Sequence, residues 1–211
     1  MANSGVWVRF SSVLFIMLLL MGCGAPEEPA EPVESVEPEA DEPQGTPVAV
    51  IEMDEGTVEF ELLPHLAPET VQRFISLAEL GFYNRTVFHR VIPGLIIQGG
   101  DPLSKDNNPY NDGQGGSGEL LTAEFSDEPF ARGIVAMARP PGDPNSASSQ
   151  FFIVLKRMAQ WDGEYTVFGK VIEGIEVVEA ISNTPTSKRD PRLKEHPVGN
   201  IRIDRLRIDY R

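Results

Sequence analysis

Residues 88–102, FHRVIPGLIIQGGDP, set one cation in an otherwise aliphatic run. Val91, Ile92, Leu95, Ile96 and Ile97 suit buried strands interrupted at Pro93-Gly94. Arg90 does not fit that pattern. It is either a side chain snorkelling from a strand edge or a charge held beside an apolar pocket to act on something.

Upstream, residues 48–62 (VAVIEMDEGTVEFEL) alternate apolar and polar on both sides of Asp54-Glu55-Gly56, which predicts a hairpin with one buried face. Pro68 then suits the first turn of a helix, with Val71, Phe74, Ile75 and Ala78 at helical spacing before Gly81 ends it. Strands are predicted at 87–92, 95–99, 133–138, 150–155, 166–170 and near 200–209, with a second short helix at 174–182. Many short strands and only two helices indicate a mainly β barrel or sandwich capped by helices. Residues 101–121 are polar and glycine-rich and read as a loop.

The first 47 of the 211 residues differ from the rest. MANSGVWVRFSSVLFIMLLLMGCG has one cation, Arg9, an apolar run at 13–21, and small residues around Cys23. The run is short for a permanent span and reads as an export signal over 1–22. Leu20-Met21-Gly22-Cys23 resembles the lipobox of bacterial lipoproteins, which implies acylation of Cys23 and attachment to a membrane outside the cytoplasm. Gly24 is not the aspartate associated with inner-membrane retention, which leans the expectation toward the periplasmic face of the outer membrane. Cys23 is the only cysteine, so no internal disulfide or metal-thiolate site exists.

Residues 24–47 hold acids and prolines without a lysine or arginine, so 23–47 is expected to be an extended, disordered tether and 48–211 a single folded domain. Removing the eight acids of the tether and Arg9 from the net charge of −14 leaves −7 for the folded part. Such a domain is not expected to bind nucleic acid.

Reactive side chains are scarce. The chain has no catalytic thiol, nucleophile elbow, P-loop or His-Glu-x-x-His motif, and His65, His89 and His196 are dispersed. His89 has no candidate nucleophile beside it and is given a structural role. Residues 108–119, NPYNDGQGGSGE, match a calcium loop at some positions but place Tyr110 at a ligand position, so no metal and no cofactor is expected. What remains is Arg90, Gln98 and Gln150 with Leu95, Ile96, Phe151, Phe152, Trp161, Tyr165 and Phe168. One guanidinium, two amides and an apolar pocket suit a reaction in which no covalent bond is made or broken.

Four motifs in order, FHRVIPGLIIQGGD, GIVAMAR, SSQFFIVL and YTVFGKVIEG, resemble the cyclophilin family of peptidyl-prolyl cis-trans isomerases from about Val48 to the C-terminus. The resemblance implies a closed eight-stranded antiparallel β-barrel capped by two α-helices, acting as a monomer on proline-containing segments of exported proteins. It implies Arg90 as the catalytic arginine, Gln98 as its supporting glutamine, and Leu95, Ile96 and Phe152 as the proline-pocket wall. Ala138, Arg139 and Gln150 match the groove for residues preceding proline, and Tyr165 stands where many members have histidine. An ungapped count from Phe152 puts Gln160 at the family's indole position and Trp161 one residue later. A proline-binding scaffold or holdase with weak catalysis is the alternative.

Overall fold

The computed structural model describes residues 45–187 and 189–211. The leader, Cys23 and all but the end of the tether lie outside the described residues. β1 (Pro47–Met53) and β2 (Gly56–Leu62) form the predicted hairpin, followed by α1 (Pro68–Glu79). Then come β3 (Arg90–Ile92), β4 (Ile96–Gly99), β5 (Ile134–Met137), β6 (Phe151–Val154), β7 (Val167–Glu173), α2 (Ile175–Ser182) and β8 (Arg205–Tyr210). β1 begins at Pro47, which the sequence reading left in the tether, and Thr46 exchanges both backbone hydrogen bonds with Arg211 at 2.8 and 3.1 Å.

All strand pairs are antiparallel and the order is β3-β4-β6-β5-β7-β2-β1-β8. The ladder therefore has two edges, β3 and β8, and the closed barrel expected from the sequence is instead a curled eight-stranded sheet. Between those edges runs an irregular seam. Arg85 N–H donates to Ile203 O at 2.7 Å, Ile203 N–H to Thr86 O at 2.8 Å, and Phe88 N–H to Ile201 O at 2.9 Å. This seam explains why β3 and β8 are shorter than predicted: residues 85–88 and 201–203 pair, but without the even spacing of a ladder.

Period-two alternation sends one face of the sheet inward. Phe60, Phe74, Phe151 and Phe168 fill that interior, each at most 2% exposed. Phe74 of α1 meets Phe151 edge-on at 5.7 Å and Phe168 at 5.1 Å between ring centroids. Phe151 and Phe168, considered above among side chains available to a site, are thus core residues; their strand parity points them away from the outer face. A second, smaller cluster of Ile96, Phe130, Ile134, Ala136, Phe152 and Val154 lies on the opposite face of β4, β5 and β6.

Two local features depend on contacts far along the chain. Ala67 offers α1 no side-chain cap, and the Glu124 carboxylate takes its place, accepting from Glu69 N–H at 3.0 Å, Thr70 N–H at 2.8 Å and Thr70 Oγ1 at 2.6 Å. α2 starts at Gly174, where φ is +79° and a Cβ would lie 2.2 Å from Thr57 O, so only glycine fits.

The loops are tied as well. Asp101 is fully buried and accepts from the backbone N–H groups of Leu103, Gly113 and Gly115, which folds residues 101–121 back over the sheet. His196 Nε2 meets Asp112 Oδ2 at 2.9 Å, joining the segment before β8 to that loop. This partner raises the His196 pKa above the ordinary 6.5. A raised histidine pKa stabilises the fold fully below about 6.5, and that contribution fades as pH rises through the raised value. His89 acts in the opposite sense, since burial lowers its pKa and protonation below about 6.5 opposes folding. The unfolding free energy of wild type minus that of Asp112→Asn is therefore expected to shrink as pH rises above about 6.5. Chemical denaturation at several pH values checks it; a difference that is flat or grows would show that the pair does not couple to stability.

Candidate active site

The outer face of β3, β4, β6 and β5 carries a row of residues set by register. Arg90 pairs across strands with Gln98, Gln98 with Phe152, and Phe152 with Ala136. Directly opposed residues of antiparallel strands point to the same face, so guanidinium, amide and aromatic ring lie side by side.

The polar part of this row is a chain of hydrogen bonds. Arg90 Nη1 donates to Gln98 Oε1 at 3.2 Å, Gln98 Nε2 to Gln150 Oε1 at 2.9 Å, and Gln150 Nε2 to Gly115 O at 2.8 Å. The glycine matters at the last link, because a Cβ on Gly115 would lie 2.2 Å from Asp101 Oδ1. On its other side Arg90 Nε donates to Glu195 Oε2 at 2.6 Å.

A cavity of about 370 Å³ opens over the row, with Ile96, Phe152, Ala138, Trp161 and Tyr165 as its apolar wall. Trp161 and Tyr165 stand edge-on to Phe152 at 5.7 and 5.4 Å. Arg139 lies 5.0 Å over the Tyr165 ring and donates to Glu164 O at 3.0 Å, its side chain only 15% exposed. A second cavity of about 560 Å³ adjoins the first, shares Gln98, Gly113, Ala138 and Arg139 with it, and adds Gln150, Ser146, Ser148 and Leu120. One continuous groove thus pairs an apolar pocket with a polar trough.

Most residues singled out in the sequence meet here: Arg90, Gln98, Ile96, Phe152, Ala138, Arg139, Trp161 and Tyr165 at the first cavity, and Gln150 at the second. Two do not. Leu95 sits in the turn between β3 and β4, packed against the second cluster, and lines neither cavity. Gln160 is exposed on the 3-10 turn Ala159–Trp161 and lines neither cavity, while its neighbour Trp161 lines the first. The Arg90 side chain is 41% exposed, so it stands at the solvated rim of the pocket on an edge strand.

The sequence reading missed the segment 192–196, which supplies Arg192, Leu193, Lys194, Glu195 and His196 to the first cavity, together with Pro109, Asp112 and Gly113 of the long loop. None of these follows a strand or helix period. His89 also lines the cavity; it is 6% exposed, both ring nitrogens lack a partner among the described residues, and burial lowers its pKa.

Comparison with known proteins agrees with this geometry. The family model for cyclophilin type peptidyl-prolyl cis-trans isomerase/CLD matches residues 48–208. A probable peptidyl-prolyl cis-trans isomerase of Brucella suis is 44% identical over 147 residues, covering 67% of this chain and 74% of that protein. A peptidyl-prolyl cis-trans isomerase-like 1 of Neurospora crassa is 37% identical over 169 residues, covering 77% and 94%. The crystal structure of a Cryptosporidium parvum cyclophilin type isomerase in the presence of the dipeptide Ala-Pro superposes with a TM-score of 0.69 at 33% identity, covering 78% of this chain and 99% of that one. A guanidinium set in register beside an aromatic pocket, on this sheet and with these relatives, leaves one assignment: the chain belongs to the cyclophilin-type peptidyl-prolyl cis-trans isomerases.

Proposed function

We propose that Arg90 and Gln98 drive the isomerisation and that the enzyme acts on exported proteins from a lipid anchor at Cys23. The observation that carries the first half is the Arg90–Gln98–Phe152 row, which sets a fixed cation beside a pocket of proline size. The proline ring seats against Ile96, Phe152, Trp161 and Tyr165, and the residues before it run over Ala138 and Arg139 toward Gln150.

Planarity gives the prolyl amide partial double-bond character and a rotation barrier of roughly 18–20 kcal/mol. Twisting the bond removes the resonance and returns a lone pair to the proline nitrogen. A guanidinium aimed at that nitrogen, or at the adjoining carbonyl, binds the twisted amide more strongly than either planar isomer, which is what lowers a barrier. An uncatalysed X-Pro bond turns over in tens to hundreds of seconds, so about a hundred turnovers per second requires lowering the barrier by roughly 5–6 kcal/mol. One charge-assisted hydrogen bond nets about 1.5–3 kcal/mol. The remainder falls to the aromatic wall, which holds the ring and sheds water from the amide, and to the glutamines that fix the backbone. Because Arg90 is partly solvated in the free enzyme, the peptide itself must complete its desolvation.

The second half rests on sequence: Leu20-Met21-Gly22-Cys23 reads as a lipobox, and the tether that follows carries eight acids and no cation. Acylated Cys23 becomes the mature N-terminus and holds the isomerase at the periplasmic face of the outer membrane, within reach of chains that fold after export.

Arg90→Ala, with the fold intact, is expected to lower kcat/KM at least about tenfold in a protease-coupled assay of an Ala-Pro peptide. A loss below about twofold would remove Arg90 from the mechanism. Arg90→Lys is expected to be nearly as poor, since an ammonium lacks the planar fork that holds Gln98 while reaching the amide. For the anchor, Cys23→Ser is expected to move the protein from the membrane pellet to the soluble fraction. Mass spectrometry that found an unmodified Cys23 in the mature protein would sink that half of the reading.

A further inference from the structure

The sequence reading gave Arg90 one supporting residue, Gln98. The structure gives it two, and the second comes from a segment outside the four family motifs. Residues 190–196 form a strap whose 3-10 turn, Pro191–Leu193, is capped by the Asp190 side chain accepting from Arg192 N–H at 3.0 Å. The strap is held at both ends of its contact with the site. Glu195 O accepts from Val91 N–H at 2.8 Å, so the backbone of this residue docks on the outer edge of β3. The next residue, His196, is tied to Asp112 at 2.9 Å.

With its backbone so fixed, Glu195 reaches one strand residue back and takes the Arg90 Nε–H at 2.6 Å. We infer that Glu195 is a positioning residue for the catalytic arginine. The count of donors supports this. A guanidinium carries five N–H bonds in a rigid plane. Glu195 takes the one on Nε and Gln98 takes one on Nη1, from different directions, which fixes the plane and leaves the remaining Nη1 and both Nη2 donors for the amide. A long, partly exposed side chain would otherwise give up much rotamer freedom each time it met a substrate. At 41% and 36% exposure the two side chains are too solvated for the pair to add much to stability, so its worth lies in orientation. The inference rests on the reading of Arg90 given above.

The test is a double-mutant cycle on the full chain, with kcat and KM measured for an Ala-Pro peptide and folding checked by thermal unfolding. Glu195→Ala is expected to lower kcat about tenfold with KM changed less than about twofold, short of the roughly hundredfold that a misplacement of about 1 Å can cost. Glu195→Gln keeps an acceptor for the Nε–H and is expected within about threefold of wild type. In an Arg90→Ala background, Glu195→Ala is expected to change the residual rate by less than about twofold, because a group acting through Arg90 has nothing left to position. Three results overturn the inference: an unchanged kcat in Glu195→Ala, an equal loss in both backgrounds, or a Gln variant as poor as the Ala variant. If Glu195→Ala fails to fold, the Arg90 side-chain Nε–H signal in NMR spectra of the Gln variant decides: retention at a hydrogen-bonded shift supports the role, and loss of the signal overturns it. Arg90→Ala as active as wild type would instead overturn the reading of Arg90 and the inference with it.

Discussion

The candidate site depends on strand register more than on any single bond. Arg90, Gln98, Phe152 and Ala136 belong to four strands separated by up to tens of residues, yet they stand in one row because each is directly opposed to the next. A slip of one residue in β4 would turn Gln98 inward and bring Ile97 out, removing the support of the arginine and placing an amide in the core. Register in turn is pinned by the inner face: Val91, Ile97, Phe151, Ile153 and Val135 are all buried there, and none could face water at low cost. The core and the site are thus two faces of one decision, and the hydrophobic term that fixes the first also aligns the second.

That dependence explains what could be read in advance. The hairpin of β1 and β2, both helices and the β3–β4 pair follow from local periods and turn residues, which are visible in sequence. The outer-face residues Arg90, Ile96, Gln98 and Phe152 were legible because they are an odd set of side chains in apolar strands, and because the family motifs name them. Neighbours on a strand face opposite ways, so Phe152 on the outer face implies Phe151 in the core, and Phe168 is buried with it. Which of Gln160 and Trp161 turns to the pocket was not legible, because the 3-10 turn Ala159–Trp161 has no period to count along. Glu124 at the α1 N-terminus and Glu195 at Arg90 act across 54 and 105 residues. Nothing local to either glutamate distinguishes it from the other acids of the chain.

Arg90 is shared with Glu195, Arg139 with Glu164 and the Tyr165 ring, and Arg192 with Asp190 and the Tyr110 ring. Each guanidinium is oriented by a partner while keeping donors free. The groove therefore offers directed N–H bonds rather than a diffuse positive field, which suits recognition of a neutral amide more than attraction of an anion.

The seam between β3 and β8 has a bearing on how long a peptide stays. Many proteins capture an extended chain by adding it as a strand to an open sheet edge, and the resulting row of main-chain hydrogen bonds holds it firmly. Here the segments flanking both edge strands bond to each other, and the strap takes the Val91 N–H on the outer edge of β3, beside the site. A passing polypeptide must be gripped by one ring in one pocket and a few side-chain contacts. A grip of that kind suits release after each turnover, because no row of main-chain hydrogen bonds has to be broken to free the peptide.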